Sequence, residues 1–173
     1  MTNKKPIFAA KYFSYIIFII LLFVLQTTPG FLTVLEIKAN FVIPAAVCIA
    51  MREGEFLGGL YGAFVGILCD LGGFNLFGLN AILLLIAGVA CGLLTIYLLQ
   101  PGLLNFLLLL AAVLLARGLL DYLLNFLMWG YENVWMVLAY RILPGIAYSL
   151  VMAPLVFLLY ERLYRFFQQK LES

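Results

Sequence analysis

The chain has 173 residues, of which 66% are hydrophobic and only 10% charged, with a net charge of +2 and no histidine. At a mean hydropathy of +1.16 it lacks the charge that a water-facing surface needs, so a lipid bilayer is its expected solvent. No basic stripe exists to hold nucleic acid, and six helices of about 20 residues would use roughly 120 positions, so residues 1–173 read as a single integral membrane domain.

In chain order, Lys4, Lys5 and Lys11 precede an apolar run from Tyr12 to Leu25. This start resembles a signal peptide, but Thr27-Thr28-Pro29 supplies no small-residue cleavage site, which predicts a retained helix over about 11–29 that stops at Pro29-Gly30. The second run, Ala39 to Met51, would reach about 20 Å, so it either crosses with help from Val34 to Lys38 at the interface or is re-entrant. Further runs cover 54–71, 78–99, 102–128 and 136–160, with Gln100-Pro101-Gly102 as the clearest break. The runs are continuous and leucine-rich rather than alternating, which excludes a transmembrane β-barrel. The expected class is all-α: a polytopic bundle of about six transmembrane helices.

With the amino terminus inside and six crossings, Lys4, Lys5, Lys11, Arg52, Arg162, Arg165 and Lys170 fall on the inner side, and Lys38 alone among the clear loop positions falls outside. That asymmetry obeys the positive-inside rule and predicts a multi-pass plasma-membrane protein with both termini cytoplasmic. If the second run failed to cross, the basic carboxyl tail would lie outside. Trp129 and Trp135 mark the expected outer interface, and Tyr160 to Phe167 form an aromatic and basic collar inside.

Gly54, Gly58, Gly62 and Gly66 follow one another at four-residue spacing and lead to Asp70, and the fourth run carries Gly88 and Gly92. Lipid tails are as apolar as leucine, so membrane helices associate through close packing and interhelical hydrogen bonds, for which glycine opens the surface. These faces either pack the protein's own helices or offer a dock to a partner helix. Asp70, Arg117 and Asp121 should lie at one depth toward the outer leaflet, with Asn80 and Arg141 as neighbours. Charges in hydrocarbon must face the bundle interior or water. Arg117 and Asp121 stand one turn apart, and Asp70 is expected to contact Arg117. The cluster is either a structural network or a ligand or partner site, and Arg141 either joins it or snorkels to the headgroups.

Cys48, Cys69 and Cys91 each stand alone in an apolar run and read as small buried hydrophobes, with neither metal nor cofactor implied. No Ser-His pair, zinc helix, P-loop or dinucleotide fingerprint can be assembled. Asp70 follows Leu68-Cys69 rather than the Gly-x-Gly pattern of intramembrane aspartyl proteases, so a catalytic Asp70–Asp121 pair is not expected. The chain reads as a non-enzyme.

The order Leu25-Gln26-Thr27, Lys38-Ala39-Asn40-Phe41, Arg52-Glu53-Gly54, then Gly58, Gly62, Gly66 and Asp70, and finally Gly78-Leu79-Asn80-Ala81, resembles the MreD family, rod-shape-determining membrane proteins of bacteria. The likeness covers roughly residues 20 to 95. The family commonly has proline where Ala39 stands, and beyond residue 100 the likeness is in length and hydropathy only. The resemblance implies a membrane scaffold that binds MreC and supports the elongation complex, in which the MreB filament is coupled to lateral peptidoglycan synthesis by a SEDS glycosyltransferase and a class B penicillin-binding protein. It leaves homo-oligomerisation open. A bundle of this shape also resembles the substrate-binding S components of energy-coupling-factor vitamin transporters. Those proteins dock their partner through small residues in helix one, whereas Ile16 to Leu25 is bulky throughout.

Overall fold

A computed structural model describes residues 5–28, 33–34, 37–38, 40–72, 77–124, 136, 140 and 142–172. The described chain is helical apart from one small ribbon. Helix α1 spans Lys5–Thr27, α2 Val42–Glu53, α3 Glu55–Leu71, α4 Leu79–Tyr97, α5 Leu103–Tyr122 and α6 Leu143–Glu172. Between α1 and α2, strands β1 (Thr33–Val34) and β2 (Ile37–Lys38) pair antiparallel, Thr33 opposite Lys38. Helix limits differ from expectation at the two ends of the chain. The first helix begins at Lys5 rather than near residue 11, which places Lys11 well inside it. The last helix starts later and runs through to Glu172, because Tyr160 to Leu171 continue the packed stripe beyond the purely apolar stretch.

Among the described residues, four helices, α1, α4, α5 and α6, are long and apolar enough to cross a membrane. Their outward faces carry bare hydrocarbon: Phe13, Val24, Ile82, Ile86, Leu104, Leu108, Val151 and Leu158 are all exposed. Such a surface would aggregate in water and is matched to lipid. Membrane proteins are the class this surface describes.

The centre of the bundle is its shortest helix. All ten residues from Val42 to Met51 of α2 are buried, and α2 touches each of the other five helices. Its small Ala45, Ala46, Cys48 and Ala50 let neighbours approach from every side. Pro44 is tolerated because it occupies the first turn, where backbone N–H groups have no helical partner.

The two ends of α2 are held at the two ends of α1. At its start, the Gln26 side-chain oxygen accepts from the N–H groups of Phe41 at 2.8 Å and Val42 at 3.4 Å. The Asn40 side chain accepts from Ile43 N–H, and the Asn40 N–H donates to the Ser149 hydroxyl of α6. At its finish, Glu53 meets Lys11 of α1. Lys11 and Gln26 stand about 22 Å apart along α1, and α2 covers about 18 Å between the same two levels. Between these two levels α2 runs in one direction, antiparallel to α1.

Candidate functional site

The glycine face is an internal seam between α3 and α4. A side chain at Gly58 would strike the Gly88 carbonyl and Ala50 at 2.7 Å, and one at Gly62, Gly66 or Gly88 would overlap the backbone of Leu84, Ala81 or Gly58 respectively. Gly92 closes on Glu55 and Gly54 in the same way. Stepping up α3 by four residues steps down α4 by about four, as two antiparallel helices in contact must. Gly54 belongs to the seam by contact but not to the helix. It is the single residue between α2 and α3, with φ +88°, a conformation that glycine adopts at little cost.

Asp70 closes the seam by capping α4. Its carboxylate accepts from the N–H groups of Gly78 at 2.9 Å and of Asn80 and Ala81 at 3.3 Å, and from the Asn80 side-chain amide at 2.8 Å. These backbone donors belong to the first turn of α4, which has no helical acceptor of its own, and an anion there also meets the positive end of the helix dipole. Gly78, at φ +95°, turns its N–H toward the carboxylate. Asp70 and Asn80 are each 4% exposed, so the pair is sealed from the surroundings.

The expected contact between Asp70 and Arg117 is replaced by a relay. Arg117 Nε donates to Asn80 Oδ1 at 2.9 Å, while the amide nitrogen of the same Asn80 donates to Asp70. An amide can do both at once, having a donor and an acceptor on one plane, and it keeps α5 joined to α3 through α4. Asp121 lies one turn beyond Arg117 on α5, half-buried. Arg141, Trp129 and Trp135 lie outside the described residues. Among the described residues no three histidine, cysteine, aspartate or glutamate side chains cluster as metal ligands, and the three cysteines are buried and unbridged.

A second polar layer, which sequence reasoning treated as topology charges, sits at the other end. Lys11 is 3% exposed, and its ammonium lies 2.6 Å from Glu53 Oε1, with the Tyr15 hydroxyl donating to the same oxygen at 2.9 Å. The ammonium also faces the rings of Tyr164 at 5.1 Å and of Tyr12 and Tyr15 at 5.9 Å, within cation–π range. Arg52 donates to both oxygens of Glu161 at 2.9 Å, and Arg165 adds a bond to Glu161 at 3.2 Å. The Tyr61 hydroxyl donates to the Tyr12 carbonyl, which draws α3 to α1. Tyr160, 1% exposed, packs its ring 5.4 Å from that of Tyr15, and its buried hydroxyl finds no partner among the described residues.

No family model matches the chain, and comparisons with curated proteins and with solved structures find no match either. The geometry offers two polar layers, each with a buried centre, about 18 to 22 Å apart along the helices with hydrocarbon between them.

Proposed function

We propose that this chain is a non-enzymatic scaffold of the bacterial elongation machinery, of the MreD kind, that binds MreC in the plasma membrane. In this reading all six helices cross. Helices α1, α3 and α6 each contribute side chains to both polar layers, α2 gives Arg52 and Glu53 to one layer and its first N–H groups to the other, and the layer holding Lys11, Arg52 and Arg165 faces the cytoplasm, as the positive-inside rule requires.

One observation carries the proposal: the residues on which the family resemblance rests are those that join the helices. Gln26 and Asn40 fix the start of α2, Arg52 and Glu53 its finish, Gly58, Gly62 and Gly66 the seam, and Asp70 with Asn80 the cap of α4. The resemblance thus follows the parts of the sequence that the architecture constrains most. The Asp70 carboxylate is fully engaged with donors of the protein itself, which favours a structural outer layer over the vitamin grip of an S component. A scaffold acts by contacting one state of its partner better than another, and with the glycine seam turned inward, that contact falls to the outward faces.

Affinity purification of the tagged full-length chain from its own membranes separates the readings. MreC is expected to co-purify in stoichiometric amount, and depletion of the chain is expected to turn rods into spheres. A purified chain that carries a vitamin and no MreC would remove the scaffold reading.

A further inference from the structure

The outward face of α6 changes character partway along the helix. Its exposed positions in the first part, Leu143, Ala147, Val151, Leu155, Leu158 and Leu159, are all hydrocarbon. From there on they are Arg162, Arg165, Phe166, Gln169 and Lys170, spaced by three and four residues so that they continue the same stripe. The other side of these turns faces the bundle: Glu161 accepts from Arg52, the Tyr164 ring faces the Lys11 ammonium and Phe167 is buried. The acid of this stretch is therefore turned inward, and the exposed stripe from 162 to 170 carries three cations and no carboxylate. Leu143 and Arg162 lie about 28 Å apart along the helix, close to the roughly 30 Å of a bilayer's hydrocarbon core. Arg165 and Lys170 follow about 5 and 12 Å beyond Arg162, at headgroup level and just past it.

We propose that this stripe is a binding surface for anionic phospholipid, in which Arg162, Arg165 and Lys170 hold the phosphates of lipids whose tails lie along Leu155, Leu158 and Leu159. Charge and continuity both favour this occupant over an acidic protein. The Arg165 side chain is 73% exposed even while it bonds Glu161, so its guanidinium reaches the surface. Phe166 is 51% exposed, and the Lys170 ammonium stands 4.4 Å from its ring centre, so an apolar ring and a cation share one spot on the stripe. Such pairs of aromatic and basic side chains suit the boundary between acyl chains and headgroups, where the ring meets carbon and the cation meets phosphate. No break separates the basic positions from the hydrocarbon positions before them, so a molecule that covers both has an apolar body and an anionic head. Each basic side chain near an anionic membrane surface strengthens the attraction about fivefold. The inference rests on α6 crossing the bilayer and not on the scaffold role, so failure to bind MreC leaves it standing.

Native mass spectrometry of the full-length chain, released from nanodiscs of equimolar dioleoylphosphatidylglycerol and dioleoylphosphatidylcholine, tests the surface. Both faces of such discs have the same composition, so the result does not depend on which terminus is cytoplasmic. The lipid retained on the chain is expected to be enriched in phosphatidylglycerol, and raising ammonium acetate from about 50 to about 500 mM before release is expected to shrink that enrichment. Arg162→Gln combined with Lys170→Gln, which leaves the bond between Arg165 and Glu161 in place, is expected to lower the enrichment at least about fivefold with the unfolding temperature unchanged. Absence of enrichment in the unaltered chain would overturn the proposal, as would an enrichment indifferent to salt or one equal in the folded double variant. A photo-crosslinker at position 166 that captured a protein in membranes, rather than lipid, would do the same.

Discussion

Lys11 carries a full charge into the bundle and is accommodated by a partner that lies far along the chain. The ammonium, Glu53 and the Tyr15 hydroxyl satisfy one another in a space closed by tyrosine rings. Burying two charges costs several kcal/mol each, and their attraction offsets this only while both are present. Glu53→Gln is therefore expected to destabilise the folded chain by about 3–5 kcal/mol, since it strands a buried ammonium, whereas the double change Lys11→Met, Glu53→Leu should cost clearly less. Unfolding of both variants in matched detergent, followed by near-ultraviolet circular dichroism, checks the order; a double variant worse than the single would show that the pair contributes more than mutual neutralisation. Neither partner was legible as a pair in the sequence. Charge position along one helix indicates depth, but not which distant side chain arrives at that depth. Asn80 shows the same limit, for depth alone pointed to Asp70 and Arg117 touching, and the amide between them was visible only as a neighbour.

Helices α3 and α4 are joined by absence of side chains. The four-residue spacing of glycine reads directly as a seam, because positions four apart stay on nearly one face. What it does not reveal is the occupant of the seam, since the protein's own helix and a partner's helix make the same demand on it. Gly88 meets the Gly58 backbone so closely that no Cβ fits, whereas Gly102, at the start of α5, has only the Gln100 carbonyl nearby at 3.9 Å. Gly88→Leu is expected to cost about 3 kcal/mol or more through forced separation of α3 from α4, and Gly102→Ala little. Fluorescence-detected size exclusion after a heating series reports both. A Gly88→Leu chain as heat-resistant as the unaltered protein would mean that the seam is open rather than closed. The short α2 was the hardest element to place from sequence, because its 12 residues fall below the usual length for a crossing. In the six-crossing reading, enclosure by five neighbours lets so short a helix suffice, because its ends meet protein side chains, Gln26 at one and Lys11 at the other.

The molecule as a whole is two polar layers held apart by hydrocarbon, and its topology follows from which layer faces which side. With six crossings, Phe77 lies at the outer face and Gln100 and Gln169 at the inner one. Single cysteines at these three exposed positions are expected to react differently with a membrane-impermeant maleimide added to intact cells: Phe77→Cys at once, Gln100→Cys and Gln169→Cys only after permeabilisation. Labelling of Gln169→Cys from outside would require an odd number of crossings and would return α2 to a non-crossing segment. By itself the sequence determined the solvent, the helical class, most of the helix limits and the glycine seam, because each of these depends on local composition or on spacing within one helix. The tertiary structure alone decided that the seam faces inward, that Asn80 bridges Asp70 to Arg117, and that Lys11 and Glu53 form a sealed pair. Those outcomes depend on the order in which helices meet around α2, and hydrocarbon, equally welcoming to every apolar face, leaves no mark of that order on any single segment.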